Sequence, residues 1–296
     1  MKIINKSVFI LILTAFITLT VSPVAFAATS PTLGQAAPYS VLSSTFTNTA
    51  PGTTLNGDLG YTNGPAVPVT VNGQTHVADS TYNQAGIDQA TALTDLNSQP
   101  CTTNFPVGAI DLGSDVTHGP VGIYTPGVYC VTGAVSIGGG STITLNGAGT
   151  YIFRSTGALT TSANSIVTLS GGASACNVWW TPGASTTLGA NSNFIGTIID
   201  ASGVSIGSTI TWSGRALAFG GTVSTSVDTI NTVPLCASAS SVTSTTNKTP
   251  GLPNTGNAPT QKISSTMWIA MTVLPASLAA IGISRRFRTI PLRVRE

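Results

Sequence analysis

The chain has 296 residues, of which only 7% are charged, against roughly 25% in an average soluble domain. Its formal +2 charge belongs to the ends: between Ala28 and Thr255, three cations (Arg154, Arg215 and Lys248) stand against eight Asp and no Glu, a net of −5. Such a body lacks the Lys/Arg footprint of a polyanion binder and the side chains for a catalytic cluster, so no nucleic-acid partner, catalytic residue, metal site or cofactor is expected.

The first six residues carry Lys2 and Lys6, Val8 to Val21 is mostly apolar, and Ala25-Phe26-Ala27 supplies a small-x-small pattern. These are the three regions of a secretory signal peptide, residues 1–27, cut after Ala27. The body, 28–236, is long enough for one sizeable core. One helix is predicted in its first half. Asp79-Ser80 caps it, Tyr82, Ala85, Gln89, Ala92/Leu93 and Leu96 form a small-residue stripe, and Pro100 closes it. After Cys101 the pattern changes to short β-branched runs separated by Gly, Asn and Ser, among them Val128–Val131, Thr142–Leu145, Ile166–Leu169 and Phe194–Ile199.

Four such runs resemble one another. Copies begin near residues 136, 160, 187 and 205, at a spacing of roughly 20 to 25 that suits one coil of a β-solenoid; a β-sandwich is the alternative. A solenoid needs capped ends, which the cysteines and the N-terminal segment are expected to supply. Export favours disulfides, and Cys101, Cys130, Cys176 and Cys236 lack the close spacing of zinc or redox sites. Of three connectivities, Cys101–Cys130 with Cys176–Cys236 staples successive parts of an elongated fold.

Residues 237–251 are a Ser/Thr-rich stalk. The pentapeptide 252–256, Leu252-Pro253-Asn254-Thr255-Gly256, resembles the sorting motif of wall-anchored bacterial proteins. That resemblance implies cleavage between Thr255 and Gly256 by a sortase and attachment to cell-wall peptidoglycan. In 257–296, Lys262 and Arg285 bracket an uncharged stretch long enough to cross a bilayer core, and the basic Arg285-Arg286-Phe287-Arg288 follows. This stretch holds the chain in the membrane before sorting; a simple C-terminal membrane anchor is the alternative. Either way the body is extracellular, at the cell surface.

Stacked copies would place Ser, Thr, Gly, Ala and Asn in ranks, giving a rigid, nearly uncharged face of hydroxyls and methyls. Hydroxyls pin some waters while methyls favour lateral water–water bonding, a combination suited to an ice-like layer. The ordered set Leu55-Asn56-Gly57-Asp58-Leu59-Gly60, Gly127-Val128-Tyr129, Asn177-Val178-Trp179-Trp180, Phe194-Ile195-Gly196-Thr197-Ile198 and Gly214-Arg215-Ala216-Leu217-Ala218 resembles the DUF3494 ice-binding family from about Leu33 to Thr232. The resemblance implies a mainly β fold, a discontinuous β-solenoid of roughly triangular section with one long helix packed alongside. It also implies a non-enzymatic protein that adsorbs to ice and inhibits its growth and recrystallisation, and a monomer is expected. A wall-anchored adhesin or glycan-binding module on the same solenoid is the alternative.

Some family members carry a T-A/G-x-T/N motif on the ice face. Carried over residue by residue, it marks Thr161, Ala163 and Asn164; Gly189, Ala190 and Asn191; and Gly207 and Thr209, with Ser141 and Thr142 from the first copy. The competing reading of these small residues is that they are corners relieving backbone strain. Elsewhere, Asp111, Asp115 and His118 read as solvated loop residues and His76 as structural or exposed. Trp179 and Trp180, which could stack on sugars, read as packing because adjacent strand residues face opposite ways. Arg215 reads as a structural charge held by Asp or backbone carbonyls, and Asp58 as the organiser of a Gly-flanked turn.

Overall fold

The computed structural model describes residues 27–236. The signal segment before Ala27, the stalk, the sorting pentapeptide and the 257–296 tail lie outside the described residues.

Short β-branched segments punctuated by Gly and Asn form strands, and every pairing between them is parallel, sorting them into three ladders. The first ladder runs Thr75–Val77, Asp58–Tyr61, Tyr39–Ser43, Arg215–Ala218, Thr197–Ile199, Val178–Thr181, Tyr151–Ser155, Gly127–Val131 and Thr103–Asn104. The second runs from Thr45–Asn48 through Thr222–Thr225, Val204–Ile206, Ala184–Leu188, Ala158–Thr161 and Val135–Ile137 to Ile110–Asp111. The third runs Thr70–Val71, Thr54–Asn56, Thr229–Asn231, Thr211–Ser213, Asn193–Ile195, Ile166–Ser170, Thr142–Asn146 and Ile123–Tyr124. The chain visits the three in turn and then steps to the next circuit.

The circuits do not stack in chain order. Thr45–Asn48 lies against Thr222–Thr225, and Thr54–Asn56 against Thr229–Asn231, so the N-terminal circuits sit beyond the C-terminal one. From Val77 the chain must return to the opposite end, and helix α1 (Ser80–Ser98) makes that return. Eight strand spacings amount to about 38 Å, of which 19 helical residues cover about 28 Å.

Alternation places one set of side chains inward on each ladder. In the third ladder, Ile143, Val167, Phe194, Trp212, Ile230 and Leu55 are in register and buried. They join inward residues of the other ladders in one core. An aromatic column runs through it: Tyr129 to Phe153 at 5.0 Å, Phe153 to Trp180 at 4.3 Å, Trp180 to Phe194 at 5.3 Å and Phe194 to Trp212 at 5.4 Å between ring centroids. Each buried side chain of this size contributes about 2 kcal/mol. Between the third and first ladders two strands bend without a turn, at Gly196 and Gly214. A Cβ on Gly214 would strike the Gly196 carbonyl, and Gly196 itself has φ 112°, so both positions need glycine.

The outward side of the first ladder is equally apolar, and α1 covers it. Asp79 caps the helix, its carboxylate accepting from Tyr82 N–H at 2.8 Å. The stripe Tyr82, Ala85, Gly86, Gln89, Ala92 and Leu96 is buried against outward residues that include Leu42, Leu217, Trp179, Ile152 and Val128. Trp179 and Trp180 are both buried, one under the helix side and one in the core. Arg215, 2% exposed, donates through Nε to Ala37 O (2.8 Å) and through Nη2 to Val233 O, and burial lowers its pKa to about 10. Its partners are backbone carbonyls rather than Asp.

Both disulfides form with the expected pairing, Cys101–Cys130 and Cys176–Cys236. The expected capping role is only half met. Cys101–Cys130 tethers the chain just before the end strand Thr103–Asn104, but the N-terminal segment runs along the helix side instead of covering an end. There, Gln99 brackets Thr29, accepting from its N–H and donating to its carbonyl, both at 2.8 Å. Ser30 Oγ receives the Trp179 indole N–H at 3.0 Å and reaches Asn177 Oδ1 at 2.9 Å. Cys236, joined to Cys176, brings the last described residue to the same place, and Ala28, Trp179 and Cys236 line one cavity of about 360 Å³.

Candidate functional site

With the first ladder covered, the second and third present outward faces to solvent. On the second, alternation and register produce a single rank of hydroxyls: Thr47, Ser224, Ser205, Thr187, Thr160 and Ser136, ending at Asp111. Their spacing is the strand spacing, about 4.8 Å. Thr160, Thr187 and Ser205 are exposed and have no internal hydrogen-bond partner among the described residues, whereas Thr47 and Ser224 bond to each other at 2.7 Å. Ala158 and Ala184, paired in register, flank the rank. The carboxylate at the end of this hydroxyl face is turned into a loop, Asp111 Oδ1 accepting from Gly113 N–H (2.9 Å) and Gly138 N–H (3.1 Å).

The outward rank of the third ladder is Thr142, Ile166, Asn193, Thr211, Thr229, Thr54 and Thr70. A second rank includes Asn231 and Asn56. These amides satisfy one another: Asn72 Nδ2 donates to Asn56 Oδ1, and Asn56 Nδ2 to Asn231 Oδ1, each at 2.6 Å. Ile123 and Ile166 project from the same face, 39% and 40% exposed. This amide face is rougher, and its strongest hydrogen-bonding groups are already occupied.

The sequence-predicted site residues cluster at the corner where these two faces meet. Thr142 is outward on the amide face and exposed, with Ser141 half-buried in the turn before it. Ala163, Asn164, Asn191 and Thr209 are exposed at the tips of three successive turns, Ala190 is half-buried, and Gly189 and Gly207 form half-buried turn backbone. Thr161 instead points inward: it is 3% exposed, and its Oγ1 accepts from Gly189 N–H at 2.9 Å, so its hydroxyl holds the turn together. Gly140, Asn164, Asn191, Thr209 and Val227 stack in the left-handed region at φ 68°, 62°, 57°, 61° and 60°. The backbone of this motif is therefore a run of corners. Glycine and Asn tolerate that conformation, while β-branched Thr209 and Val227 bear a cost of about 1–2 kcal/mol.

Most of the hydroxyl rank escapes the family motif, which falls on the turns beside it. Its signal lies in the repeat offsets, because Ser136, Thr160, Thr187 and Ser205, where the four copies begin, are mutual register partners.

Apart from the half-buried Asp111 at its end, the hydroxyl rank carries no charged side chain. The exposed carboxylates, Asp79 and Asp95, sit at the cap and on the surface of α1. Asp200 and Asp228 are buried in corners, where Asp200 accepts from Thr186 Oγ1 (2.8 Å) and Ser202 N–H (2.8 Å), and Asp228 from Ile210 N–H (2.9 Å) and Ser226 N–H (2.6 Å). Burial pushes both carboxyls above the usual range, against the pull of those bonds. Asp115 and His118 are a buried pair, contrary to the solvated-loop expectation: their side chains are 5% and 3% exposed, His118 Nδ1 meets Asp115 Oδ2 at 2.5 Å, and the imidazole stacks on Tyr124 at 4.1 Å. Rings from Phe105, Tyr124 and Tyr129 enclose the imidazole, a long-range burial with no local signature. His76 is structural, bonded to Asp79 at 2.8 Å and packed on Tyr39. Asp58 opens the strand Asp58–Tyr61, and its carboxylate accepts from Gln74 N–H at 2.7 Å, supporting the turn of the neighbouring circuit rather than its own.

Known proteins share this architecture. A family model described as Ice-binding-like matches residues 41–231. An ice-binding protein of Nostoc sp. (strain HG1) is 33% identical over 234 residues, covering 75% of this chain and 81% of that protein. The crystal structure of an ice-binding protein from an Antarctic biological consortium aligns with a TM-score of 0.61 at 30% identity, over 71% of this chain and 95% of that one. That of the ice-binding protein from the Antarctic ascomycete Antarctomyces psychrotrophicus aligns with a TM-score of 0.59 at 28% identity, over 69% and 99%.

Proposed function

We propose that this chain, which belongs to the Ice-binding-like family, adsorbs to ice through its hydroxyl face and so opposes ice growth and recrystallisation. The observation that carries this reading is the in-register rank Ser136, Thr160, Thr187, Ser205, Ser224 and Thr47, free of lysine, arginine and exposed carboxylate. In this reading the three parallel ladders wind as a β-solenoid of roughly triangular section, whose rigidity keeps the rank flat. Hydroxyls repeat at about 4.8 Å across strands and outward residues at about 6.7 Å along them, distances of the same order as the repeats of an ice lattice. Exposed hydroxyls without internal partners hold waters in place, and adjacent methyls leave the remaining waters to bond laterally. Bound molecules then pin the ice front, and curvature between them opposes its advance. Pinning requires a rigid matched plane and no bond-making chemistry.

The corner residues Ala163, Asn164, Ala190, Asn191 and Thr209 form one edge of this plane. The glycan-binding alternative loses its best platform, since Trp179 and Trp180 are buried. Display outside the cell accords with two disulfides and with the position of Cys236. That residue is tied to Cys176 at the corner between the amide and helix sides, away from the hydroxyl rank. In this reading the protein is a monomer anchored to peptidoglycan through Thr255 by a sortase.

The test is ice affinity, crystal shaping and recrystallisation with the mature chain. Faceted crystals and slowed recrystallisation are expected, and Thr160→Tyr with Thr187→Tyr abolishes them while the circular dichroism spectrum persists. Wild-type behaviour indistinguishable from an inert protein of equal size would overturn the reading. Ala163→Tyr and Ala190→Tyr measure how far the contact extends over the corner.

A further inference from the structure

Arg154 is one of two arginines in the described fold, and its guanidinium has an uncommon setting. Its Nη2 lies 2.9 Å from Cys101 Sγ and 2.9 Å from Cys130 Sγ. Its Nη1 donates to the carbonyls of Asn97 and Leu96 in the last turn of α1, where the helix concentrates partial negative charge. The group is thereby held over the disulfide, and no carboxylate lies within ion-pair distance of it among the described residues. The disulfide Cys176–Cys236 gives an internal comparison. All four cysteines are half-buried, but the polar group beside Cys176 Sγ is the Ser174 hydroxyl, at 3.0 Å.

A neutral disulfide sulfur is a weak acceptor and gains little from a cation. A thiolate gains a great deal, because a neighbouring Arg makes a thiol more acidic, and a more acidic leaving thiol departs faster. We propose that Cys101–Cys130 is a thiol-exchange site that takes low-molecular-weight thiols, with Arg154 stabilising the departing thiolate. In the first step a reagent thiolate attacks one Sγ. A bond forms between reagent sulfur and that Sγ, the Cys101–Cys130 bond breaks, and the other Sγ leaves with the electron pair beside Arg154. A second reagent thiolate attacks the mixed disulfide and releases the oxidised reagent dimer and the second cysteine thiolate. Two thiols are oxidised to one disulfide, the protein disulfide is reduced to two cysteines, and protons are exchanged with solvent. Exchange removes the covalent tie between the end circuit and the circuit of Cys130, leaving the strand pairing of Thr103–Asn104 and the Thr102–Val128 bonds to hold that junction.

The experiment treats the intact oxidised protein with glutathione, quenches with acid, alkylates and maps the modified peptides by mass. Cys101 and Cys130 should be labelled about tenfold faster than Cys176 and Cys236, and Arg154→Met should remove most of that difference while Arg154→Lys keeps part of it. Equal rates for the two disulfides, faster labelling of Cys176–Cys236, or an unchanged rate in folded Arg154→Met would overturn the proposal. If Arg154→Met does not fold, the pH dependence of alkylation in reduced wild type decides. One of the two thiols should ionise clearly below the ordinary value of about 8.5, and ionisation of both at that value would overturn it.

Discussion

The hydroxyl and amide faces are built by the same circuits, share one core and carry almost no charge, yet they offer water different things. On the amide face, Asn72, Asn56 and Asn231 satisfy each other and Ile123 and Ile166 stand out from the sheet. On the hydroxyl face, Thr160, Thr187 and Ser205 are exposed, in register and without internal hydrogen-bond partners among the described residues. Under the proposed function, polarity alone does not distinguish the face that meets ice from the one that does not. What separates the two is whether the hydrogen-bonding groups are already spent within the protein.

Bulk placed on each face should break or confirm this contrast most strongly. Thr160→Tyr should raise the protein concentration needed to suppress recrystallisation about tenfold, equivalent to about 1.4 kcal/mol of adsorption. Thr211→Tyr, at an exposed outward position of the amide face, should leave that concentration nearly unchanged; equal losses would show that both faces touch ice. Asn56→Leu removes two amide bonds and should cost about 1 kcal/mol, lowering Tm by about 3 °C without altering crystal shape. The shared corner offers a gain. Val227→Asn replaces a β-branched residue in the left-handed region and should stabilise by about 1 kcal/mol, read as a higher midpoint in urea.

The smallest effect concerns the buried corner carboxylates. Because burial raises the folded-state pKa of Asp200 and Asp228, the folded protein binds their protons more tightly than the unfolded chain. Their contribution to stability is fully present below the ordinary carboxylate pKa and is lost as pH rises through the raised folded values. Wild type should therefore gain stability between neutral and mildly acid pH relative to Asp228→Asn, and parallel thermal melts across that range would contradict the assignment.

Features specified by nearby residues are legible in the sequence alone. Helix α1 is announced by the Asp79 cap and its small-residue stripe, the strands by their β-branched runs, and the second ladder's register by repeat offsets at 136, 160, 187 and 205. Features that depend on distant partners are not. Nothing local in Thr45–Asn48 says that its neighbour is Thr222–Thr225, and nothing near His118 announces the rings that enclose it. The sequence-predicted residues lie at turn tips, a few residues from the hydroxyl rank. Turn tips and face residues are equally small and polar, and only the positive φ of Thr209 and Val227, which their residue types do not favour, separates the corner from the plane.

The interleaved order of circuits also bears on how the protein can fold. Repeat proteins whose neighbours in space are neighbours in sequence can grow one unit at a time. Here Tyr39–Asn48 emerges early but its partner, Thr211–Thr225, emerges some 170 residues later, a separation of the kind that slows folding by raising contact order. The circuits from Thr103 onward stack in chain order, but the N-terminal ones must wait, unpaired on one side, until the last has been made.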